Sequence, residues 1–483
     1  MMEMILTLRR QNRSGVDILR EKKFHMPTAY TILFLLLILV AIATWIIPAG
    51  SYDYVDGVPV SGTYHPVEQN PQGVGDVLKA AFSGFYDAVD VCIFILMVGG
   101  FLGVVMKTGA VDAGVANIIR LLGGREKWLI PILMILFGLG GTTYGMWEET
   151  MAFYPLLIPV FLAAGYDAVV GISVILLGAG AGVIASTVNP FATGIAAGFA
   201  GVSLGDGILL RLAELVVFEA AAIWFVMAYA AKVKKNPSKS VVGVGAGKIH
   251  VTMDQQVPFT ARRKVIMAVF TLTFLIMVYA VVPFDEMGLS LPTLGWWFPE
   301  LSALFLVGGV VIGLIDRMGE EELVETYVAG CADLLGVAFI IGISRGITVL
   351  MNDGAITDTV LHWGERALSG TGAIGFTLLV FVLYLPLTIL IPSSSGLATL
   401  SIPIVAPLGK FAGVGGDLVV TAFQSASGLV NILTPTAAVL MGALALGHVP
   451  YDKWVRFSWK IVLLFAALIA AFLVAGALLS GGS

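Results

Sequence analysis

The sequence predicts an all-α polytopic membrane protein built from two inverted repeats, each with a re-entrant helical hairpin and a broken transmembrane helix. Three observations carry this reading. Hydrophobic residues fill 58% of the 483 positions and charged residues only 12%, whereas a soluble domain carries about 25% charge. Several apolar runs exceed the roughly 20 residues that cross a bilayer. Interruptions fall at matching places in the two halves of the chain. So few charges cannot cover a soluble globule, which excludes a soluble enzyme, a secreted disulfide scaffold and a nucleic-acid binder. The net charge of −5 says little, and Cys92 and Cys331 lie in apolar helices, silent on redox compartment.

The first 25 residues hold Arg9, Arg10, Arg13, Arg20, Lys22 and Lys23, and an apolar run follows from about 28 to 47. A secretory h-region is only about 7–15 residues long and ends in a small-residue cleavage site. This run is longer and ends in Ile47-Pro48-Ala49-Gly50, so it is expected to be an uncleaved first span. Further full spans are predicted near 88–107, 168–200, 207–231, 264–284, 297–315, 328–351, 416–446 and 455–479.

Two other apolar stretches, 128–164 and 371–412, are broken midway by polar clusters. The first cluster runs from 140 to 150 and includes Thr142, Thr143, Glu148 and Glu149; the second is Pro392-Ser393-Ser394-Ser395-Gly396. Polar, non-helical backbone at membrane depth survives only inside protein or beside a wet cavity. Each stretch is therefore expected to enter and leave on one side. With the N-terminus in the cytoplasm, the leader, 107–127, 232–264, Arg317 and 453–460 all fall inside, and they hold most of the 27 Lys and Arg. That satisfies the positive-inside bias. The segments 51–76 and 285–290, on the opposite side, are neutral or acidic. Reading 128–164 as two complete spans gives the same topology, but exposes the Gly- and Glu-containing join to lipid.

Val105-Met106-Lys107-Thr108-Gly109-Ala110-Val111 returns as Leu350-Met351-Asn352-Asp353-Gly354-Ala355-Ile356. At nearly the same offset, Gly124 matches Gly370, and Pro155, Pro159 and Gly165 match Pro403, Pro407 and Gly413. Gly182 with Asn189-Pro190 then matches Gly428 with Thr434-Pro435, one residue slipped. An odd number of full spans separates equivalent points, so the halves are expected to be upside down relative to each other. Inverted repeats whose broken helices meet near the midplane are a plan of secondary transporters. The predicted organisation is a basic leader (1–25), first spans (26–127), hairpin plus broken helix (128–201), scaffold spans with a cytoplasmic loop at 232–264 (202–370), second hairpin plus broken helix (371–447), and a last span (448–483).

Chemistry is expected at the breaks. Proline removes a donor and disrupts the turn before it, freeing carbonyls near Ala185 and Ser186. These, with oxygens of Ser186, Thr187 and Asn189, suit Na⁺; Asn431, Thr434 and Thr436 repeat the pattern in the second half, and Asn189, Asn431 and Thr434 are expected to contact the substrate as well. At the hairpin tips, the second arm presents a helix N-terminus that attracts a carboxylate, with Ser393, Ser394 and Ser395 at one tip and Thr142 and Thr143 at the other. Serine capping explains part of that pattern without any ligand. Glu148 and Glu149 form an ionisable pair at membrane depth, a functional-site hypothesis by default. Binding a substrate ammonium or guanidinium, coordinating Na⁺ and carrying a proton are the three competing roles. Arg345 either forks onto a substrate carboxylate, or snorkels or pairs with an acid such as Asp353. Arg211 and Glu214, spaced i,i+3, are expected to pair within one helix. Asp333 and Glu219 have no assigned role. No Walker-type loop, His/Cys metal spacing or G-x-S-x-G nucleophile is present, so uphill work is expected to come from ion or exchange gradients.

Met26-Pro27-Thr28-Ala29-Tyr30 with Ile47-Pro48-Ala49-Gly50, the stretch Trp147-Glu148-Glu149-Thr150-Met151-Ala152-Phe153-Tyr154-Pro155, and Ser186-Thr187-Val188-Asn189-Pro190-Phe191-Ala192-Thr193-Gly194 resemble the YfcC family. That family sits in the C4-dicarboxylate anaerobic carrier (DcuC/ArcD-like) group of the ion transporter superfamily. The resemblance covers nearly the whole chain. It implies an elevator-type transporter, with hairpins and broken helices sliding against a scaffold that forms a homodimer, in a bacterial inner membrane. The related divalent-anion:sodium symporters carry Ser-Asn-Thr motifs at both tips, where this chain has Glu148 and Glu149 at the first.

The expected function is secondary active transport of a small carboxylate-bearing metabolite. An amino acid, basic ones as in arginine/ornithine exchange among the candidates, is preferred to a C4-dicarboxylate. Coupling is to Na⁺, H⁺ or counter-substrate, with no other cofactor and no nucleic acid. A passive channel is the alternative of a different class, disfavoured by occluding hairpins, and a membrane-embedded enzyme lacks a catalytic constellation.

Overall fold

The computed structural model describes residues 29–480 except 57, 112, 115–116, 118–124, 204, 244–257, 282–283 and 285–289. The basic leader, Gly124 of the repeat, most of the cytoplasmic loop and most of the segment 285–290 lie outside the described residues. The helices are α1 Ala29–Ile46, α2 Val74–Asp87, α3 Val89–Lys107, α4 Leu129–Tyr144, α5 Tyr154–Ala163, α6 Ala168–Ala185, α7 Ile195–Ala200, α8 Ile208–Lys235 and α9 Ala261–Val281. After them come α10 Phe298–Asp316, α11 Glu320–Asp353, α12 Thr357–Leu368, α13 Ala373–Leu390, α14 Ser394–Phe411, α15 Gly416–Asn431, α16 Ala438–Leu446 and α17 Tyr451–Ser480. Six of these, α3, α6, α10, α11, α13 and α17, are long and apolar enough to cross a membrane.

The helices sort into two packing groups. The long α11 lies along α1, α2 and α3, and α3 packs on α10, which packs on α9. An aromatic core fills this group: Phe101 meets Phe270 at 5.6 Å and Phe305 at 5.2 Å between ring centres. The second group surrounds α6, every residue of which is buried. α4, α5, α8 and α15 pack on α6, while α13 and α14 pack on α15. Small residues set these distances. A Cβ on Gly182 would lie 2.0 Å from the Gly138 carbonyl, and one on Gly141 would lie 2.3 Å from that of Ala179. Close backbone approach through small residues is how apolar helices gain contact when lipid offers no hydrophobic drive.

Both predicted helix breaks are present. α6 stops at Ala185, Ser186 takes a left-handed φ of +40°, and the chain resumes helix after Asn189. α15 stops at Asn431 and α16 starts at Ala438. Both polar tips are also real interruptions: α4 ends on left-handed Gly145, and three residues separate α13 from α14. Outside the helices, β1 (Gly50–Ser51) pairs with β4 (His65–Pro66) and β2 (Tyr54–Val55) with β3 (Val58–Pro59), both antiparallel. This small cap is fastened to α12. The Tyr54 hydroxyl donates to Asp358 at 2.7 Å, the Tyr52 hydroxyl donates to Glu365 at 2.8 Å, and Tyr64 stacks on His362 at 4.1 Å.

A cavity between the hairpin tips and the helix breaks

The two tips and the two breaks converge on one cavity of about 180 Å³. Its wall includes Glu148 and Glu149 from the first tip, Ser393, Ser394 and Ser395 from the second, Asn189 and Asn431 from the breaks, Thr436, and Arg345 from α11. Residues far apart in sequence thus meet where the chain leaves regular helix.

The first tip is built locally. After Gly145, the Trp147 N–H donates to the Glu149 carboxylate at 3.1 Å, and the Thr150 N–H donates to the Trp147 carbonyl at 3.2 Å. One carboxylate oxygen of Glu149 therefore closes its own short helical turn, while Glu148, beside it, lines the cavity. Gly145 is required here. Its φ is +75°, and an added Cβ would sit 2.6 Å from the Asn189 amide nitrogen.

The tip is clasped to the first break. The Thr187 N–H donates to the Thr142 hydroxyl at 2.9 Å, that hydroxyl donates to Thr187 Oγ1 at 3.1 Å, and the Val188 N–H donates to the Thr142 carbonyl at 3.1 Å. Thr142 and Thr187 are thus engaged with each other and do not line the cavity. Thr143 turns back, donating to the Leu139 carbonyl at 2.6 Å. Ser186 pairs with Thr193, whose hydroxyl also reaches the Ser186 carbonyl at 3.3 Å.

The second break spends its carbonyls in the same way. Trp454 Nε1 donates to the Ile432 carbonyl at 3.0 Å, the Tyr451 hydroxyl donates to that of Leu433 at 2.7 Å, and the Ser344 hydroxyl donates to that of Thr436 at 2.8 Å. Thr434 Oγ1 lies 2.9 Å from Thr436 Oγ1 and also sits outside the cavity wall. At the second tip, the Ser393 hydroxyl caps α14 by accepting the Gly396 N–H at 3.2 Å, which leaves the helix start facing the cavity.

Arg345 has an acid partner as expected, though a different acid, and Arg211 and Glu214 share no hydrogen bond. Arg345 Nε pairs with Asp87 at 3.2 Å, not with Asp353. Asp353 lies eight residues further along the same helix, about 12 Å away, beyond the reach of a direct ion pair. Arg211 turns its guanidinium back to the Asp206 carbonyl, and both Glu214 oxygens lack a hydrogen-bond partner. Arg211 sits in the first turn of α8, next to the loop carbonyl that it bonds.

Residues that sequence reasoning missed complete the wall: Gln424, Ser427, Ser344, Trp147 and Trp297. Gln424 Nε2 donates to the Val183 carbonyl at 2.8 Å and Ser425 to that of Ile184 at 3.2 Å, so α15 ties off the end of α6. The run Gln424-Ser425-Ala426-Ser427-Gly428 holds polar groups inside a buried span. That rarity is the signal in the sequence that could have found them.

The family model described as "C4-dicarboxylate anaerobic carrier" matches residues 26–478. A Haemophilus influenzae relative of uncharacterised role is 34% identical over 495 residues, covering 92% of this chain and 95% of its own. YfcC of Escherichia coli strain K12, provisionally named a basic amino acid antiporter, is 30% identical over 509 residues, covering 95% of this chain and 98% of its own. Among solved structures, the Alcanivorax borkumensis YdaH transporter aligns at TM-score 0.44 and 15% identity, over 93% of this chain and 99% of that one. Neisseria gonorrhoeae MtrF, from a class of antimetabolite efflux pumps, aligns at TM-score 0.43 and 18% identity, over 93% and 95%. The chain belongs to the C4-dicarboxylate anaerobic carrier family and is a multi-pass membrane transporter of small molecules, not an enzyme.

Proposed function

We propose that this carrier moves an amino acid, basic in side chain, by secondary active transport. One observation carries the reading: a single small cavity holds groups of both electrical preferences. Arg345 and the serine-capped start of α14 attract a carboxylate, while Glu148 and Glu149 attract an ammonium or guanidinium. A zwitterion with a second positive charge satisfies both kinds of group. A C4-dicarboxylate, the second reading, is favoured by the family's name and by Arg345 and Ser393 to Ser395, but brings its second carboxylate against Glu148 and Glu149. The basic amino acid label of the Escherichia coli relative agrees with the first reading.

In this reading, 128–164 and 371–412 are re-entrant hairpins of two inverted repeats. With the broken helices they form an elevator that slides against a dimerising scaffold in the bacterial inner membrane, the N-terminus cytoplasmic. Ser186, Thr187, Asn189, Thr434 and Thr436 are the candidate Na⁺ ligands, and of these only Asn189 and Thr436 border the cavity. Uptake by proteoliposomes of labelled arginine, ornithine, a neutral amino acid and succinate, with and without Na⁺ and a pH gradient, tests the whole reading. Saturable arginine or ornithine exchange supports it; succinate uptake without either overturns it.

A further inference from the structure

α8 carries a carboxylate that the cavity does not use. Glu219 is 8% exposed, and neither of its oxygens has a hydrogen-bond partner. Its side chain lies in a niche that exists because residue 138 of α4 is glycine: a Cβ there would sit 2.5 Å from Glu219 Oε2. Of the elements packed on α8, the turn Pro237–Lys239 carries Lys239 just past the end of the helix, and the others bring no charge near Glu219. α4 and α6 contain no charged residue, and Tyr144 at the end of α4 is their one titratable group. α17 keeps Asp452, Lys453, Arg456 and Lys460, with Tyr451, at its start, whereas Phe218 beside Glu219 touches its Phe465 and Phe472. On α8 itself, Arg211 and Glu214 lie further toward the helix start, and Tyr229 and the closing lysines toward its end.

An ionised carboxylate in such surroundings, unpaired and largely away from water, is costly. We propose that Glu219 is a proton-binding site through which this carrier couples H⁺ to transport. The carboxylate takes a proton from water on one side, packs as a neutral acid against Gly138, and returns the proton to water when α4 and α8 separate. Both α4 and α8 pack on α6, which ends at the first helix break, so the niche and the cavity share one rigid element. This deepens the transport reading and rests on it.

Full-length wild-type and Glu219→Gln protein in liposomes test the proposal by infrared difference spectroscopy. The wild type is expected to show the carbonyl band of a neutral carboxylic acid, fading from mildly acidic to alkaline buffer and absent from the variant. A variant spectrum that differs only in ionised-carboxylate bands overturns the proposal. In the same liposomes with an enclosed pH dye, Glu219→Gln is expected to keep labelled-arginine exchange and lose arginine-linked proton entry; proton entry at the wild-type rate also overturns it. Absence of arginine exchange in the wild type counts against the substrate reading alone, and the infrared measurement, which needs no substrate, still decides whether Glu219 holds a proton.

Discussion

The Thr142 hydroxyl accepts the Thr187 N–H at 2.9 Å, joining the first hairpin tip to the first helix break. Both residues are buried, so no water replaces either partner. Thr142→Val keeps the shape and removes the acceptor, leaving a buried N–H unsatisfied, at about 1–3 kcal/mol. Thr187→Val keeps that N–H bonded and loses only hydroxyl contacts, at about 0.5–1.5 kcal/mol. Thermal unfolding in detergent, followed by tryptophan fluorescence, is expected to rank Thr142→Val below Thr187→Val and both below wild type. The reverse order would show that the clasp is not held by the Thr142 oxygen.

Gln424 donates to the Val183 carbonyl at 2.8 Å, with its own Oε1 unpartnered at the cavity wall. Gln424→Leu removes a donor from a buried carbonyl, a loss of about 1–3 kcal/mol. Gln424→Glu is predicted to be worse, because it faces the carbonyl with a second acceptor whose charge has no partner there. Equal unfolding temperatures for the two variants would remove the Val183 contact as the reason this residue is polar.

Much of the site is legible in the sequence because proline and charge are conspicuous in apolar helices. Asn189-Pro190, Thr434-Pro435, the Glu148-Glu149 pair and Pro392-Ser393-Ser394-Ser395 stand out, and both breaks and both tips lie where those residues place them. Which way each hydroxyl points is not legible. Thr142 and Thr187 read as ligands because they are polar at a break, yet backbone freed by a break must first satisfy itself. Trp454, Tyr451 and Ser344 perform that task for the second break from other helices, a pairing no local pattern encodes. Arg345 finds Asp87 for the same reason: its partner lies on a different helix, α2.

Arg345 has its Nε on Asp87 at 3.2 Å, and both side chains are partly exposed. Such pairs are worth about 0–1 kcal/mol, so Asp87→Asn is predicted to leave stability nearly unchanged. Releasing the guanidinium should lower KM for a carboxylate-bearing substrate by no more than about fivefold, the kinetic equivalent of that energy. Arg345→Lys keeps the charge but not the planar fork and is predicted to raise KM roughly tenfold, the effect of losing about 1.4 kcal/mol. Initial-rate uptake across a substrate series measures both. An unchanged KM in Arg345→Lys removes Arg345 from the substrate site.

The small β cap, which lies outside the candidate spans, supplies a pH prediction. Burial, then the Glu365 hydrogen bond and nearby Glu365 and Asp358 charges, push the Tyr52 phenol well above its usual range; burial and the Asp358 hydrogen bond do the same to Tyr54. A phenol raised in the folded state binds its proton more tightly there than in the unfolded chain. Its stabilising contribution is therefore whole below the unfolded value, about pH 10, and is lost as pH rises toward the folded value. Tyr52→Phe, which strips a charged acceptor of its donor at Glu365, is expected to lower stability at neutral pH by about 1.5–3 kcal/mol, and the deficit relative to wild type should shrink above about pH 10. In wild type minus Tyr52→Phe difference spectra, tyrosinate absorbance should emerge later than for an exposed tyrosine. Since α12 and β3 both pack on α14, a cap loosened at high pH should also free the second hairpin arm, read as faster hydrogen exchange across α14. A midpoint near pH 10 for Tyr52, the value of a free phenol, would mean that the Glu365 contact does not hold the cap.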